Sequence, residues 1–356
     1  MMSRPKYSVE VVTETGNQLN QVADEWSSLA SACGRNFYAS PAYSLAWWSY
    51  LGRGRLAIVC VRRDGQLVGL APMHHRKIAG KRYARLLGHG LGSIGEILVA
   101  DEGAATALWD FFAEDGATLQ LTHVRPDSAA ILALRRHRRL AHRCVVDDRC
   151  PVVRMAPGST ARDLRTQRSL RQFRRYRSAL DESGTPFAIE VIDDLDGLIR
   201  RWDDIVRVAA IADAETDRQN LFAAPWVEFT KAFLEAEAAN GGLLILGATA
   251  GSQWIAQDIG IRRGSVLSQW VSRFDPAFSR QSPGHLIQEW LANHHDELGI
   301  DTIDALLGEN AFKLSWSNDG YDVATVIATP RSVGVAHASL AAHAAVRQAV
   351  LGVLRR

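Results

Sequence analysis

The fold class this chain predicts is α/β, with two tandem units, each a mixed and mostly antiparallel sheet flanked by helices. Length is the first reason, because 356 residues exceed one ordinary core and suit two at roughly 150 residues per domain. The second is alternation of short β-type runs with stretches whose apolar residues recur at helical spacing. The third is an internal repeat: LAIVCVRRDGQLVGLAPMHHR at 56–76 aligns with LLILGATAGSQWIAQDIGIRR at 243–263, Gly65 against Gly251, with one residue inserted after the turn glycine. Each piece reads as strand, turn and strand behind a helix, and a repeat of this length is best taken as two copies of one unit. The units are expected at 1–155 and 156–356.

In order, 7–12 reads as a strand and 17–32 as a helix with Leu19, Val22, Trp26 and Leu29 on one side. Ser40-Pro41 opens a helix rich in rings (Tyr43, Trp47, Trp48, Tyr50), whose plainer role is core packing. Asp64-Gly65 between two strand-like runs signals a hairpin. GHGLGSIG at 88–95 imitates a phosphate loop, but no Lys-Ser/Thr ends it and ILVA follows, so it reads as a connecting loop with His89 and Glu96 toward a cleft. Helix 103–114, strand 117–124, helix 127–136 and a strand near 142–146 complete the first half. The second half reads as strand 186–192, helices 194–211 and 225–239, the hairpin 243–263 and a strand from Val266. Ser282 then has the form of an N-cap before Pro283, with Leu286, Ile287, Trp290, Leu291 and Leu298 at helical spacing. Strands 301–307 and 321–329 and an Ala-rich amphipathic helix at 336–354 follow, the last packing on the body or on a second copy in a homodimer.

Apolar residues make up 47% and charged residues 22% of the chain, which excludes wholesale disorder. No basic-flanked apolar leader and no run of about 18 apolar residues occurs, so a cytoplasmic protein without a membrane span is expected. Cys33, Cys60, Cys144 and Cys150 lack zinc-site spacing and read as packing residues. His285 and the His294-His295 pair, read as surface or capping groups, have no further ligand at suitable spacing, so no metal is expected.

The net charge of +2 is unevenly spread. Between Arg135 and Arg177 stand fourteen arginines, no lysine, and only Asp147, Asp148 and Asp163 as acids, a local charge of +11. A helix starting near Ser159, capped by Ser159 or Thr160, puts Leu170, Phe173, Tyr176 and Leu180 on one face and Arg168, Arg171, Arg174 and Arg175 on the other. A solvated face is the ordinary interpretation. The functional one is that four guanidinium groups without acidic partners at i+4 attract a polyanion, tRNA or the phosphates of a nucleotide-linked acceptor.

Phe274-Asp275-Pro276, Ser282-Pro283-Gly284 and Asp304-x-x-x-Gly308-x-x-x-Phe312-Lys313-x-x-Trp316 follow one another over the C-terminal third. In order and spacing they resemble the CelD-like branch of the GNAT-type acyltransferases, relatives of the Fem-type aminoacyl transferases, with weaker similarity back to Phe37. The resemblance implies two tandem GNAT-like units, the donor site in the second, and an N-acyltransferase moving an acyl group from acyl-CoA to a small-molecule amine. The +11 segment motivates a rival, transfer from aminoacyl-tRNA. A third reading is a catalytically silent GNAT-like scaffold in a biosynthetic assembly.

Acyl transfer to an amine needs a polarised donor carbonyl, an unprotonated nitrogen, and relief for the charge of the tetrahedral intermediate. The resemblance lays the donor's pantetheine arm along Val266 to Ser272, including Trp270, and its pyrophosphate in the turn Arg280 to His285. Arg280, Ser282, Gly284, His285 and Phe312 are the further candidate contacts, although Pro283 removes one amide donor. Lys313 is implied near the acyl carbonyl as oxyanion stabiliser, with Asp304 orienting it or accepting a proton. Asp258, in an otherwise apolar strand, is either a general base or paired with an arginine.

Overall fold

The structure is a computed structural model describing residues 6–13, 16–78, 80–214 and 218–330. The chain divides into two compact units: Met1–Asp148 together with the stretch beginning at Asp322, and Arg149–Tyr321. The first contains β1 (Tyr7–Val12), α1 (Asn17–Cys33), α2 (Pro41–Leu51), β2 (Arg55–Arg63), β3 (Gln66–Ile78), β4 (Lys81–Leu86), β5 (Leu98–Val99), α3 (Glu102–Asp115), β6 (Thr118–Val124) and α4 (Ala129–Arg136). The chain enters the second unit within β7 (Ala141–Arg154). There it forms α5 (Ala161–Leu164), α6 (Gln167–Glu182), β8 (Phe187–Ile192), α7 (Leu195–Ala214), α8 (Val227–Ala239), β9 (Leu243–Ala250), β10 (Gln253–Arg263), β11 (Val266–Phe274), α9 (Pro283–His294), β12 (Thr302–Asp304) and α10 (Ala311–Trp316). It leaves within β13 (Asp319–Thr329), so the stretch from Asp322 groups with the first unit instead of with 156–321.

Both units repeat one topology. β1 to β4 are successively antiparallel and β4 runs parallel to β6. β8 to β11 are likewise successively antiparallel and β11 runs parallel to β12. The repeated sequence pieces are the hairpins β2–β3 and β9–β10, each turning through a left-handed glycine, Gly65 or Gly251, a conformation that costs glycine little.

In the second unit both sheet faces are covered, which is why β9 is buried at every position instead of alternating. α6 and α9 pack on one face through Leu170, Phe173, Leu286, Ile287 and Leu291 against Leu244 and Leu246. α7 and α8 lie against β10, β11 and β9. On β10, Trp254 lies across Gly247 of β9 so closely that a Cβ at Gly247 would overlap the indole, and its Nε1 donates to Gln257 Oε1 at 2.8 Å.

Several expectations are corrected. The basic helix is two helices: Thr160 caps α5 in a capping box with Asp163, the chain breaks at Arg165, and Thr166 caps α6. The apolar face Leu170, Phe173, Tyr176 and Leu180 is nevertheless the packed one. Strand 301–307 shrinks to Thr302–Asp304, because Leu306 turns left-handed at φ 55°. Strand 142–146 is the first part of a 14-residue strand, Ala141–Arg154, and β4, in which Lys81, Arg82 and Arg85 flank buried Tyr83 and Leu86, had no counterpart in the sequence pattern. Ser282 occupies the N-cap position of α9 in a left-handed conformation with no side-chain cap. His295 is buried, its ring bonding Ile300 O at 2.7 Å and Ser159 O at 3.0 Å. The expected helix at 336–354 lies outside the described residues.

Candidate active site

The second unit opens where its parallel strands stop pairing. Val266, Leu267 and Ser268 pair with Thr302, Ile303 and Asp304. Beyond that point Ala305 N–H bonds Pro151 O at 3.0 Å on the β7 side while β11 continues beside β10 to Phe274. The two strands therefore part at Ser268 and Asp304, and the polar side chains of the unit gather around this opening.

Asp258 is buried on β10, directly opposite Ser272 of β11. Its carboxylate accepts from Ser272 Oγ at 2.7 Å and from Gln269 Nε2. In a regular strand residues 269 and 272 would face opposite sides. The register, Ile259 against Val271 but Gly260 against Gln269, skips Trp270, and this β-bulge returns both side chains to the face of Asp258. Trp270 turns to the other face, edge-on to Phe233 of α8 at 5.0 Å. Gln269 Nε2 also donates to Gln288 Oε1 of α9 at 2.8 Å, tying the bulge to that helix. Burial pushes the Asp258 carboxyl up to about 6, while the Ser272 and Gln269 hydrogen bonds and the charge of Lys313 hold it from rising further.

Lys313 stands on α10, which Asn310 caps through Lys313 N–H at 2.9 Å. Its Nζ donates to Leu307 O at 2.5 Å and reaches Leu306 O at 3.5 Å, so the ammonium is anchored on the loop that leaves β12. Asp304 shapes that loop: its Oδ1 accepts Leu306 N–H at 2.9 Å and its Oδ2 accepts the Tyr321 hydroxyl at 2.7 Å. Burial, and next the Asp304 charge, push the Tyr321 phenol up, so it stays a donor. The structure thus brings Lys313 and Asp258 within electrostatic range and sets Asp304 behind the carbonyls that hold the lysine.

The turn before α9 is poorer in donors than a helix start usually is. Pro283 has no N–H, His285 N–H bonds Ser282 O at 2.9 Å and Ser282 N–H bonds Ser279 O at 3.1 Å. Arg280 is exposed at the end of the 3₁₀ segment Pro276–Gln281, which Asp275 caps. A Cβ at Gly284 would meet only the Phe312 ring at 3.7 Å, so packing within the chain does not require glycine there. The His285 ring is committed to an aromatic stack, 5.2 Å from Phe173 and 4.8 Å from Phe312, and its Nδ1 accepts from Trp316 Nε1 at 3.0 Å. Burial, with the Arg165 charge next, lowers His285 to about 4. It is a neutral joint between α6, α9 and α10, and the Arg165 guanidinium lies 4.9 Å over the Trp316 ring.

The first unit repeats the opening without its chemistry. By repeat and register, Asp258, Gly260 and Gln269 correspond to Ala71, Met73 and Leu86, all buried and apolar. Ser268 and Asp304 correspond to Arg85 and Gln120, whose side chains bond across the strands at 2.7 Å. Sequence pattern could not find Gln269, Gln288 and Tyr321, since their roles depend on the bulge and on contacts far along the chain. Among the described residues no group of three His, Cys, Asp or Glu stands ready for a metal, and no helix is long and apolar enough to cross a membrane.

A mixed α/β unit whose parallel strands splay over a bulged neighbour is the GNAT type of fold. Residues 167–314 match the family model described as an acetyltransferase (GNAT) domain. L-PGS from Bacillus licheniformis is similar in structure, at 11% identity over 89% of this chain and 95% of that one, with a TM-score of 0.56. FemX matches at 12% identity over 85% and 95%, with a TM-score of 0.57. A conserved protein of unknown function from Bacteroides thetaiotaomicron matches at 12% over 90% and 100%, with a TM-score of 0.61. At such identities the likeness is one of fold. No curated protein matches the sequence.

Proposed function

We propose that the second unit transfers an acyl group from a phosphate-bearing carrier to an amine, as an acyltransferase of the CelD-like kind. The observation that supports it best is the anchored ammonium of Lys313 at the opening of β11 and β12, within electrostatic range of the buried Asp258. The donor carbonyl oxygen takes up negative charge as nitrogen attacks, and an ammonium already held in place stabilises that charge without reorganising. The nitrogen sheds its proton to Ser272 Oγ, which passes its own along the 2.7 Å hydrogen bond to Asp258. With a carboxyl at about 6, Asp258 is mostly ionised at neutral pH and poised to receive it. The new C–N bond forms, the bond from carbonyl carbon to carrier breaks, and the departing sulfur or oxygen takes up the proton that Asp258 received, returned through Ser272 Oγ.

Acyl-CoA is the first carrier to consider, since the matched family is described as an acetyltransferase. The donor-poor turn before α9 and the exposed arginines of α6 favour a second reading, aminoacyl-tRNA. One experiment separates them. A mixture of an amino sugar, an amino acid, a peptide and a polyamine is incubated with the protein and either acetyl-CoA or aminoacylated total tRNA, and the amines are weighed by mass spectrometry. An acyl mass on one amine in one arm is expected; unchanged amines in both arms would end the proposal.

A further inference from the structure

We infer that the carrier's phosphates are held by the arginine face of α6, with Arg171 and Arg175 foremost, instead of by the backbone amides at the start of α9. This rests on the reading of the second unit as a transferase with a phosphate-bearing donor, and it names the part of the protein that recognises the donor.

Three observations meet here. The turn that would ordinarily cradle a pyrophosphate through its amides has spent or lost several: Pro283 has none, and those of Ser282 and His285 bond carbonyls inside the turn. An anion arriving there needs other donors. α6 packs directly on the 3₁₀ segment Pro276–Gln281 and on α9, which makes it the basic element next to that turn. Four of the five arginines of α6 are also free of ion pairs among the described residues. Arg177 reaches the buried Glu289 at 3.3 Å, whose carboxyl is raised by burial and drawn back by the charges of Arg177 and Arg174. Arg168, Arg171, Arg174 and Arg175 are exposed, with no ion-pair partner among the described residues.

Like charges three and four residues apart weaken a helix, so the pattern calls for an anion to offset it. Arg171, Arg174, Arg175 and Ser178 border an open hollow of about 440 Å³, with Ala179 beside them and Glu182 at its end. Planar guanidinium groups so placed suit the paired oxygens of phosphates. No large exposed hydrophobic side chain interrupts this face, so recognition there is electrostatic.

Binding of acetyl-CoA, S-acetylpantetheine and deacylated total tRNA is measured for wild type, R171E/R175E, R171Q/R175Q and K313A, at about 50 and about 200 mM salt. Wild type is expected to bind acetyl-CoA or tRNA with an affinity that falls with salt. Both arginine variants should lose at least about tenfold of it and flatten the salt dependence, while K313A binds as wild type. If the carrier is CoA, S-acetylpantetheine, which lacks the phosphates, should bind all four proteins alike. Arginine variants with wild-type affinity for both carriers overturn the inference, as does wild type binding neither. Transfer lost in K313A but affinity kept in the arginine variants would remove this inference and leave the transferase reading standing. Affinity lost in the arginine variants with transfer intact in K313A would keep this inference and remove only the oxyanion role of Lys313.

Discussion

Asp258 titrates inside the fold, and its environment predicts how the protein responds to pH. Its folded value of about 6 lies above the ordinary 3.8. Its contribution is therefore fully present below about pH 4 and is lost as pH rises through about 6, an effect on the order of 3 kcal/mol. Denaturant unfolding between pH 4 and 7 should show a decline in wild type that D258N lacks. Catalysis runs the other way, since only the ionised carboxylate accepts a proton: the transfer rate should climb through about pH 6 in wild type and be low and flat in D258N. Gly284 offers a second residue-level test. With only Phe312 near its missing Cβ, G284A should leave stability unchanged or raise it by up to about 1 kcal/mol, and donor binding should stay unchanged, since α6 is inferred to hold the phosphates. Asp258 and Lys313 were legible in the sequence, one as a carboxylate in an apolar strand and the other through a family motif. Gln269 and Ser272 were not recognisable as partners, because their odd spacing signals opposite faces until the bulge at Trp270 is seen.

Among the elements, β9, β10 and β11 show how local packing sets the site. Trp254 fills the space over Gly247 and is held by Gln257, whose Nε2 donates to Ile205 O of α7 at 2.9 Å. G247A must displace that indole and should cost roughly 1–3 kcal/mol or more, read as a fall in the denaturant midpoint at unchanged slope. The hairpins and the apolar faces of the helices could be read from periodicity because burial follows it. The break between α5 and α6 could not, since the apolar spacing runs across it and Thr166, a second cap, looks like any polar residue on a helix surface. Strand β12 was overextended for a similar reason: Leu306 and Leu307 continue the apolar run, but a left-handed residue turns the chain where the lysine is anchored.

At the scale of the molecule, two copies of one topology have diverged in what fills the opening. The second keeps a carboxylate, two amides, a hydroxyl and a lysine there, whereas the first has Ala71, Met73 and Leu86 at the matching places. One donor per chain is therefore expected in calorimetric titration, and a stoichiometry of two would show that the first unit binds as well. The duplication was visible in sequence as the repeat; the division of labour required the register. The central claim, that Lys313 stabilises the oxyanion of an acyl transfer, is tested most directly by the transfer rate of K313A at saturating donor. A fall of about 10²–10³ in rate with unchanged donor affinity is predicted, and a variant that transfers as fast as wild type would contradict the account.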